Sequence, residues 1–180
     1  MANRRFRKTE EAILKVISDE NYYIGTDMMA KKAGIARSTF YHHHRTVRHV
    51  LPDYEQYLMR KYSRLVGRLL RNKKLQVRVM YMNMLIFMIQ NKKIVEILVR
   101  YNRATIIDDM IKRMREKLIK TMRIPEKEDK IFMVYSGEIA TLICEWVNTG
   151  MDVEKIDEVL SDILYLTGTA RDRLAPMRSN

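Results

Sequence analysis

The chain has very few of the residues that break or cross-link secondary structure. Its 180 residues include 3 prolines, 6 glycines and a single cysteine, Cys144. One cysteine cannot form a disulfide within the chain, which favours a reducing cytoplasm as the location. No apolar run approaches the roughly 20 residues of a membrane-spanning helix, and the basic N-terminus leads into no apolar signal core. These absences predict a folded cytoplasmic protein with no membrane partner.

The sequence also lacks the motifs that mark common enzymes. It contains no glycine-rich phosphate loop, no His-Glu-x-x-His, no nucleophile elbow and no Cys-x-x-Cys. Three consecutive histidines, His42, His43 and His44, raise the question of a metal site. Successive residues of a helix point about 100° apart, so these three rings do not converge on one ion. We expect no enzyme activity, no metal and no other cofactor.

Apolar residues recur at helical spacing along most of the chain, whereas the alternation typical of strands is scarce. The pattern predicts an all-α fold. The hydroxyls of Thr26 and Thr46 are suited to cap the helices that follow them, and Gly34 is suited to end a helix. Pro52 predicts either a kink in a long helix or a helix that starts near Pro52. The predicted helices cover about 7–19, 26–34, 37–42, 47–71, 75–90, 94–101, 105–122, 126–149 and 153–173.

Charge is distributed unevenly along the chain. Residues 1–74 hold 17 of the 34 basic residues but only 7 of the 22 acidic ones. A basic first part followed by a nearly neutral second part is typical of proteins that bind phosphate groups. A solvated basic face, or a face that binds anionic membranes, has the same composition. Charge alone therefore leaves nucleic acid as one of several interpretations.

Residues 26–41 are predicted to form two short helices around a turn at Gly34. The small side chain of Ala30 allows the two helices to approach closely. Such a unit presents its second helix as a rod narrow enough for the major groove of DNA. The apolar contacts that would hold the two helices together come from Met29, Ala33, Ile35 and Phe40.

The polar side of that second helix carries residues suited to read bases. Arginine binds guanine through two hydrogen bonds, and serine or threonine bonds to several base edges. Hydroxyl and imidazole groups that follow suit the phosphate oxygens of the backbone. On this chemistry the candidate DNA-binding residues are Arg37, Ser38, Thr39, Tyr41, His42, His43 and Thr46.

Residues 9–51 resemble the DNA-binding domain of the TetR family of transcriptional regulators. The resemblance implies a homodimeric repressor whose two heads bind a palindromic operator on double-stranded DNA. In most members the C-terminal body binds a small molecule and thereby releases the DNA. The resemblance is carried by Ile13-Leu14, Thr26, Ala30, Ala33-Gly34-Ile35, Ser38-Thr39-Phe40-Tyr41 and His43. It implies DNA contacts from Thr26, Thr39, Tyr41, His43 and Thr46, and so adds Thr26 to the candidate DNA-binding residues.

The resemblance places a DNA-binding helix-turn-helix domain at residues 1–51 and a ligand-sensing and dimerisation domain at residues 52–180. Family members usually carry an aromatic residue where this chain has His44, and a lysine where it has Val47. One phosphate contact is thereby lost, for which Arg45 and Arg48 are suited to compensate. A TetR-like interaction adaptor with weak DNA binding, and a peripheral membrane protein, stay open as alternatives.

Residues 137–150 resemble the penultimate helix of one subgroup of the family, in which a Glu-Trp pair and a nearby glycine precede the last helix. By that resemblance the last two helices form the dimer interface. The methionine-rich helices before them either pack a helical core or line an apolar ligand pocket, and both interpretations stay open. The interface candidates are Ile139, Leu142, Ile143, Trp146, Val159, Ile163 and Leu166. The ligand-binding candidates are Tyr81, Met84, Met88, Ile107, Met110 and Met114.

Overall fold

The computed structural model describes the backbone of residues 2–19, 24–71, 77–101, 105–122 and 126–172, and the side chains of residues 8–19, 24–71, 77–101, 105–118 and 135–168. Every regular element within these ranges is an α-helix, so the predicted all-α class is confirmed. The helices are α1 (Ala2–Asp19), α2 (Thr26–Lys32), α3 (Arg37–His43), α4 (Val47–Leu69), α5 (Val77–Gln90), α6 (Lys92–Arg100), α7 (Thr105–Met122), α8 (Glu126–Asn148) and α9 (Ile156–Asp172).

The chain forms two compact units, which we call the head (Met1–Tyr57) and the body (Leu58–Asn180). The boundary between them falls inside α4. The boundary expected from the sequence, at residue 51, falls inside the same helix. No helix in the described ranges is long and apolar enough to cross a membrane.

The head has a core to which each of its helices contributes. α1 packs against α2, and α2 packs against α3. Ile13 and Ile17 on α1, Met29 on α2, Phe40 on α3 and Val50 on α4 are fully buried. Burying one such side chain stabilises a fold by about 1.5–3 kcal/mol. The short helices α2 and α3 are therefore held by packing rather than by their own length.

The turn between α2 and α3 depends on Gly34, whose backbone has φ +63°. The Gly34 amide donates to the carbonyl of Lys31 at 3.1 Å, and the Ile35 amide donates to the carbonyl of Ala30 at 3.1 Å. This pair of bonds satisfies carbonyls that the helix end leaves without a partner, and it requires a left-handed residue. The sequence predicted this helix end correctly.

The start of α2 differs from the expectation that the Thr26 hydroxyl caps this helix. Thr26 is the first residue of α2, and the capping position is occupied by Gly25, with no capping bond from a side chain. The Thr46 hydroxyl, expected to cap α4, instead hydrogen-bonds with Nδ1 of His49 at 2.8 Å.

α4 runs without interruption from Val47 to Leu69 with Pro52 inside it, so the alternative of a helix that starts at Pro52 is wrong. A proline removes only one backbone hydrogen bond. Val50, Leu51 and Tyr54 on either side are buried, and their packing offsets that loss.

The body is a helical unit in which α8 packs against α6, α7 and α9, while α5 packs against α6 and α9. α8 ends at Asn148. In the turn that follows, Gly150 has φ +92°, and the amide of Met151 donates to the carbonyl of Trp146 at 2.9 Å. Trp146 also donates its indole N–H to the carbonyl of Asp152 at 3.0 Å. These bonds fix the turn that leads into α9.

Candidate nucleic-acid interface

α3 is anchored on one side and open on the other. Phe40 is fully buried in the head core, whereas Arg37, Ser38 and His42 are exposed and Thr39 is half-buried. Tyr41 is 45 % exposed although its ring is large and partly apolar. A helix with this distribution presents arginine, hydroxyl and imidazole groups to a partner while its packing keeps it in place.

Arg37 is held by two contacts. Its Nε lies 2.9 Å from Oδ1 of Asp27 on α2, and its guanidinium carbon lies 5.6 Å from the centroid of the Tyr41 ring, one turn further along α3. A hydrogen bond with Tyr41 and the charge of Asp27 raise the pKa of the guanidinium. Arg37 is therefore a cation with a preferred orientation on an exposed surface.

The remaining candidates flank α3. Arg45 and Arg48 are exposed, while Thr26 and Thr46 are half-buried. Val47, where the TetR family usually has lysine, is 6 % exposed and belongs to the head core. The first turn of α4 thus uses this position for packing, and the exposed cations nearby are Arg45, before the helix, and Arg48, within its first turn.

His43 and His44 lie at the end of α3 against acidic residues from two other helices. The side chain of His43 is 11 % exposed, and its Nδ1 lies 3.3 Å from Oε1 of Glu10. His44 is 3 % exposed, with Nε2 at 3.2 Å from Oε2 of Glu10 and Nδ1 at 2.8 Å from Oδ2 of Asp53. His43, expected to contact phosphate, therefore lies mainly inside the head in this structure.

The surroundings of His44 favour its charged form. Burial lowers the pKa of the imidazole, but its hydrogen bonds to Glu10 and Asp53 and the charges of the two carboxylates raise it by more, so the net pKa is raised. The neighbouring Tyr54 donates its hydroxyl to the carbonyl of Glu10 at 3.4 Å. Burial, together with both carboxylates, raises the pKa of the Tyr54 phenol.

We call this group, which comprises Glu10, His43, His44, Asp53 and Tyr54, the His44 cluster. Sequence reasoning considered His44 as one of three consecutive histidines and as a departure from a family pattern, and did not predict this cluster. Its partners lie 34 and 9 residues away along the chain, and no local spacing indicates such a contact. No group of His, Cys, Asp and Glu among the described side chains is arranged to hold a metal ion.

The residues expected to bind a ligand are all buried in the body. Each of them is at most 1 % exposed, so they are core residues in this structure. Tyr81 differs from the others because its hydroxyl has no hydrogen-bond partner among the described residues. The fully buried set is Tyr81, Met84, Met88, Ile107, Met110 and Met114.

A second buried hydroxyl without a partner in the described part of the chain belongs to Tyr62 on α4, which sequence reasoning missed. Burial raises the pKa of both phenols, and Tyr81 contributes to the shift of Tyr62, so the two rings are near one another. An unsatisfied buried hydroxyl costs about 1–3 kcal/mol. Both hydroxyls are unsatisfied polar groups in the core of the body, as far as the described residues show.

Most residues expected at the dimer interface are already buried within one chain. Ile139, Ile143, Trp146, Val159 and Ile163 are at most 8 % exposed, because α8 and α9 pack against each other and against other helices of the body. Leu142 and Leu166 are half-buried. The faces of α8 and α9 open to a second chain carry other residues, including Tyr165, which is 72 % exposed.

Comparisons of the chain with protein-family models, with curated proteins and with solved structures find no match.

Proposed function

We propose that this chain is a homodimeric DNA-binding transcriptional repressor of the TetR type, with α3 as the helix that enters the major groove. The observation that carries the proposal is the division of α3 into a buried anchor, Phe40, and an exposed polar side with Arg37, Ser38 and His42. The basic excess of residues 1–74 supports it, because phosphate neutralisation supplies much of the affinity for DNA.

A second chain is part of the proposal because a single α3 reads only a few base pairs. Two heads on a palindrome place their reading helices about one DNA turn apart, roughly 34–36 Å. The exposed faces of α8 and α9 provide the surface for pairing. The buried hydroxyls of Tyr62 and Tyr81 support a ligand site in the body, whose occupancy would shift the equilibrium between DNA-bound and released states.

The test is selection of bound duplexes from a random DNA pool by the full-length chain. We expect an enriched palindrome and an affinity that falls steeply as salt rises. Arg37→Ala should reduce binding to the enriched duplex. The control is Lys15→Ala, which also removes one positive charge, from an exposed position of α1, and should reduce that binding less. Recovery of no preferred sequence by a stable dimer would favour the adaptor, whereas binding to anionic vesicles with no sequence preference would favour a membrane role.

A further inference from the structure

The two ring nitrogens of His44 each face a carboxylate. Nδ1 lies 2.8 Å from Asp53 and Nε2 lies 3.2 Å from Glu10. An ionised carboxylate only accepts hydrogen bonds, and a neutral imidazole has a single N–H. Both contacts are therefore satisfied only when the cluster holds an additional proton, which the imidazolium form of His44 provides.

This pair of contacts connects the end of α3 to two other helices. His44 directly follows α3, and its amide donates to the carbonyl of Phe40 at 2.8 Å, while its ring lies 5.7 Å from the Phe40 ring. Glu10 belongs to α1 and Asp53 to α4. At its other end α3 has Ala36 in the capping position, with no capping bond from a side chain. The His44 cluster is thus a buried polar attachment at the C-terminal end of this helix, whereas the ion pair of Arg37 with Asp27 is exposed.

We propose that His44 is a positioning residue for α3 and that the proton of the His44 cluster makes DNA binding by the head dependent on pH. This inference rests on the proposed function. The titratable groups that surround the ring are Glu10 from α1, Asp53 and Tyr54 from α4, and His43 on α3, which faces the same Glu10 carboxylate.

Loss of the proton leaves one carboxylate facing a ring nitrogen that has only a lone pair. In a buried site this arrangement is costly, and it is relieved when either His44 or Glu10 moves away. Either movement detaches the end of α3 from α1 or from α4. The direction in pH follows from the raised pKa of His44: the attachment is complete below its ordinary value near about 6.5 and is lost as pH rises through the folded value.

The first measurement is an NMR titration of the histidine rings in the full-length chain, with single His→Gln variants for assignment. We expect the midpoint of His44 to lie above about 6.5 and to fall in Asp53→Asn and in Glu10→Gln. Asp53 is 43 % exposed, so its variant remains informative if the buried change at Glu10 unfolds the head. A His44 midpoint at or below the ordinary value, or one unchanged in both variants, would overturn the proposal.

The second measurement is affinity for a mixed-sequence duplex of about 30 base pairs, long enough for two half-sites a turn apart, as pH rises. Above the His44 midpoint the free chain has lost one proton that the bound state requires, so binding weakens by at most about tenfold per pH unit. His49→Gln, which removes an exposed imidazole from α4, should retain this step, and His44→Gln should abolish it. A step of equal size in His44→Gln would show that general charge loss, and not positioning, is responsible.

Amide hydrogen exchange distinguishes a failure of the positioning role of His44 from a failure of DNA binding. The amide of Phe40 donates to the carbonyl of Ala36, and the amide of His44 donates to the carbonyl of Phe40. In the wild-type chain the protection of these amides from hydrogen exchange should fall above the His44 midpoint. In His44→Gln it should be low at every pH. If the chain binds no duplex at any pH while this protection follows the titration, the proposed function fails and the positioning role stands. If protection of these amides does not change as His44 titrates, the positioning role is refuted, whether or not the chain binds DNA.

Discussion

Asp27 on α2 and Arg37 on α3 form an ion pair, with 2.9 Å between Oδ1 and Nε, on side chains that are 66 % and 64 % exposed. An exposed pair of this kind contributes little to stability, about 0–1 kcal/mol. Its importance is geometric, since it occupies Nε and orients the guanidinium together with the Tyr41 ring. Loss of this ion pair should therefore affect the preference of the head for particular DNA sequences more than it affects the stability of the head.

Arg37→Ala should weaken binding to a selected operator by about 1–3 kcal/mol and binding to random duplexes by less, because a bidentate contact to guanine is lost. Asp27→Asn removes a negative charge and should strengthen binding to random duplexes, while the preference for the operator falls a few-fold. Fluorescence anisotropy on both duplexes measures the ratio. Glu11→Gln, at an exposed site on α1, is the charge-matched control, and an identical response of the two acidic variants would contradict a role in orientation.

Gly34→Ala and Gly137→Ala should change stability in opposite directions. An added Cβ meets nothing within 4 Å at either position, but only Gly34 has a positive φ, of +63°. Alanine in the left-handed region costs about 1–2 kcal/mol, whereas at a helical position with space it stabilises by about 0.5–1 kcal/mol. Urea unfolding followed by circular dichroism tests both, and equal effects of the two substitutions would contradict the turn geometry.

Tyr62→Phe and Tyr81→Phe should leave the stability of the body unchanged or raise it by about 1 kcal/mol, because each removes a buried hydroxyl that has no partner among the described residues. The same substitutions should weaken binding of a ligand that bonds to these hydroxyls. Denaturant unfolding gives the first result directly. A loss of about 1 kcal/mol or more from either variant would mean that the hydroxyl is already bonded in the folded chain.

The fluorescence of Trp146 should report the folding of the body and not the pairing of two chains. Trp146 is 3 % exposed within a single chain, and its indole N–H bonds to the carbonyl of Asp152. We expect emission at short wavelength that does not change on dilution through the dimer–monomer transition and shifts to longer wavelength on unfolding. A shift on dilution alone, at constant circular dichroism, would place this residue at an interface instead.

Local pattern was sufficient to identify the helices near the candidate interface. The spacing of apolar residues on α1 and α2 indicated which faces are buried, and the turn at Gly34 followed from the need for a left-handed residue at a helix end. Helix starts were less well predicted. At α2 the capping position is occupied by Gly25 and not by Thr26, and at the start of α4 the Thr46 hydroxyl forms a hydrogen bond with the side chain of His49.

Local sequence is enough to show that the chain is helical, that its basic excess lies in the first 74 residues, and that an arginine–serine–threonine run follows a glycine turn. Which element covers each apolar face, and which distant side chains meet, depends on the packing of the whole fold. Periodicity marks Ile143 and Ile163 as apolar without showing that one chain already buries them. In the same way, only the packing of α1 and α4 beside α3 brings Glu10 and Asp53 to His44, because contacts across 34 and 9 residues leave no trace in local sequence.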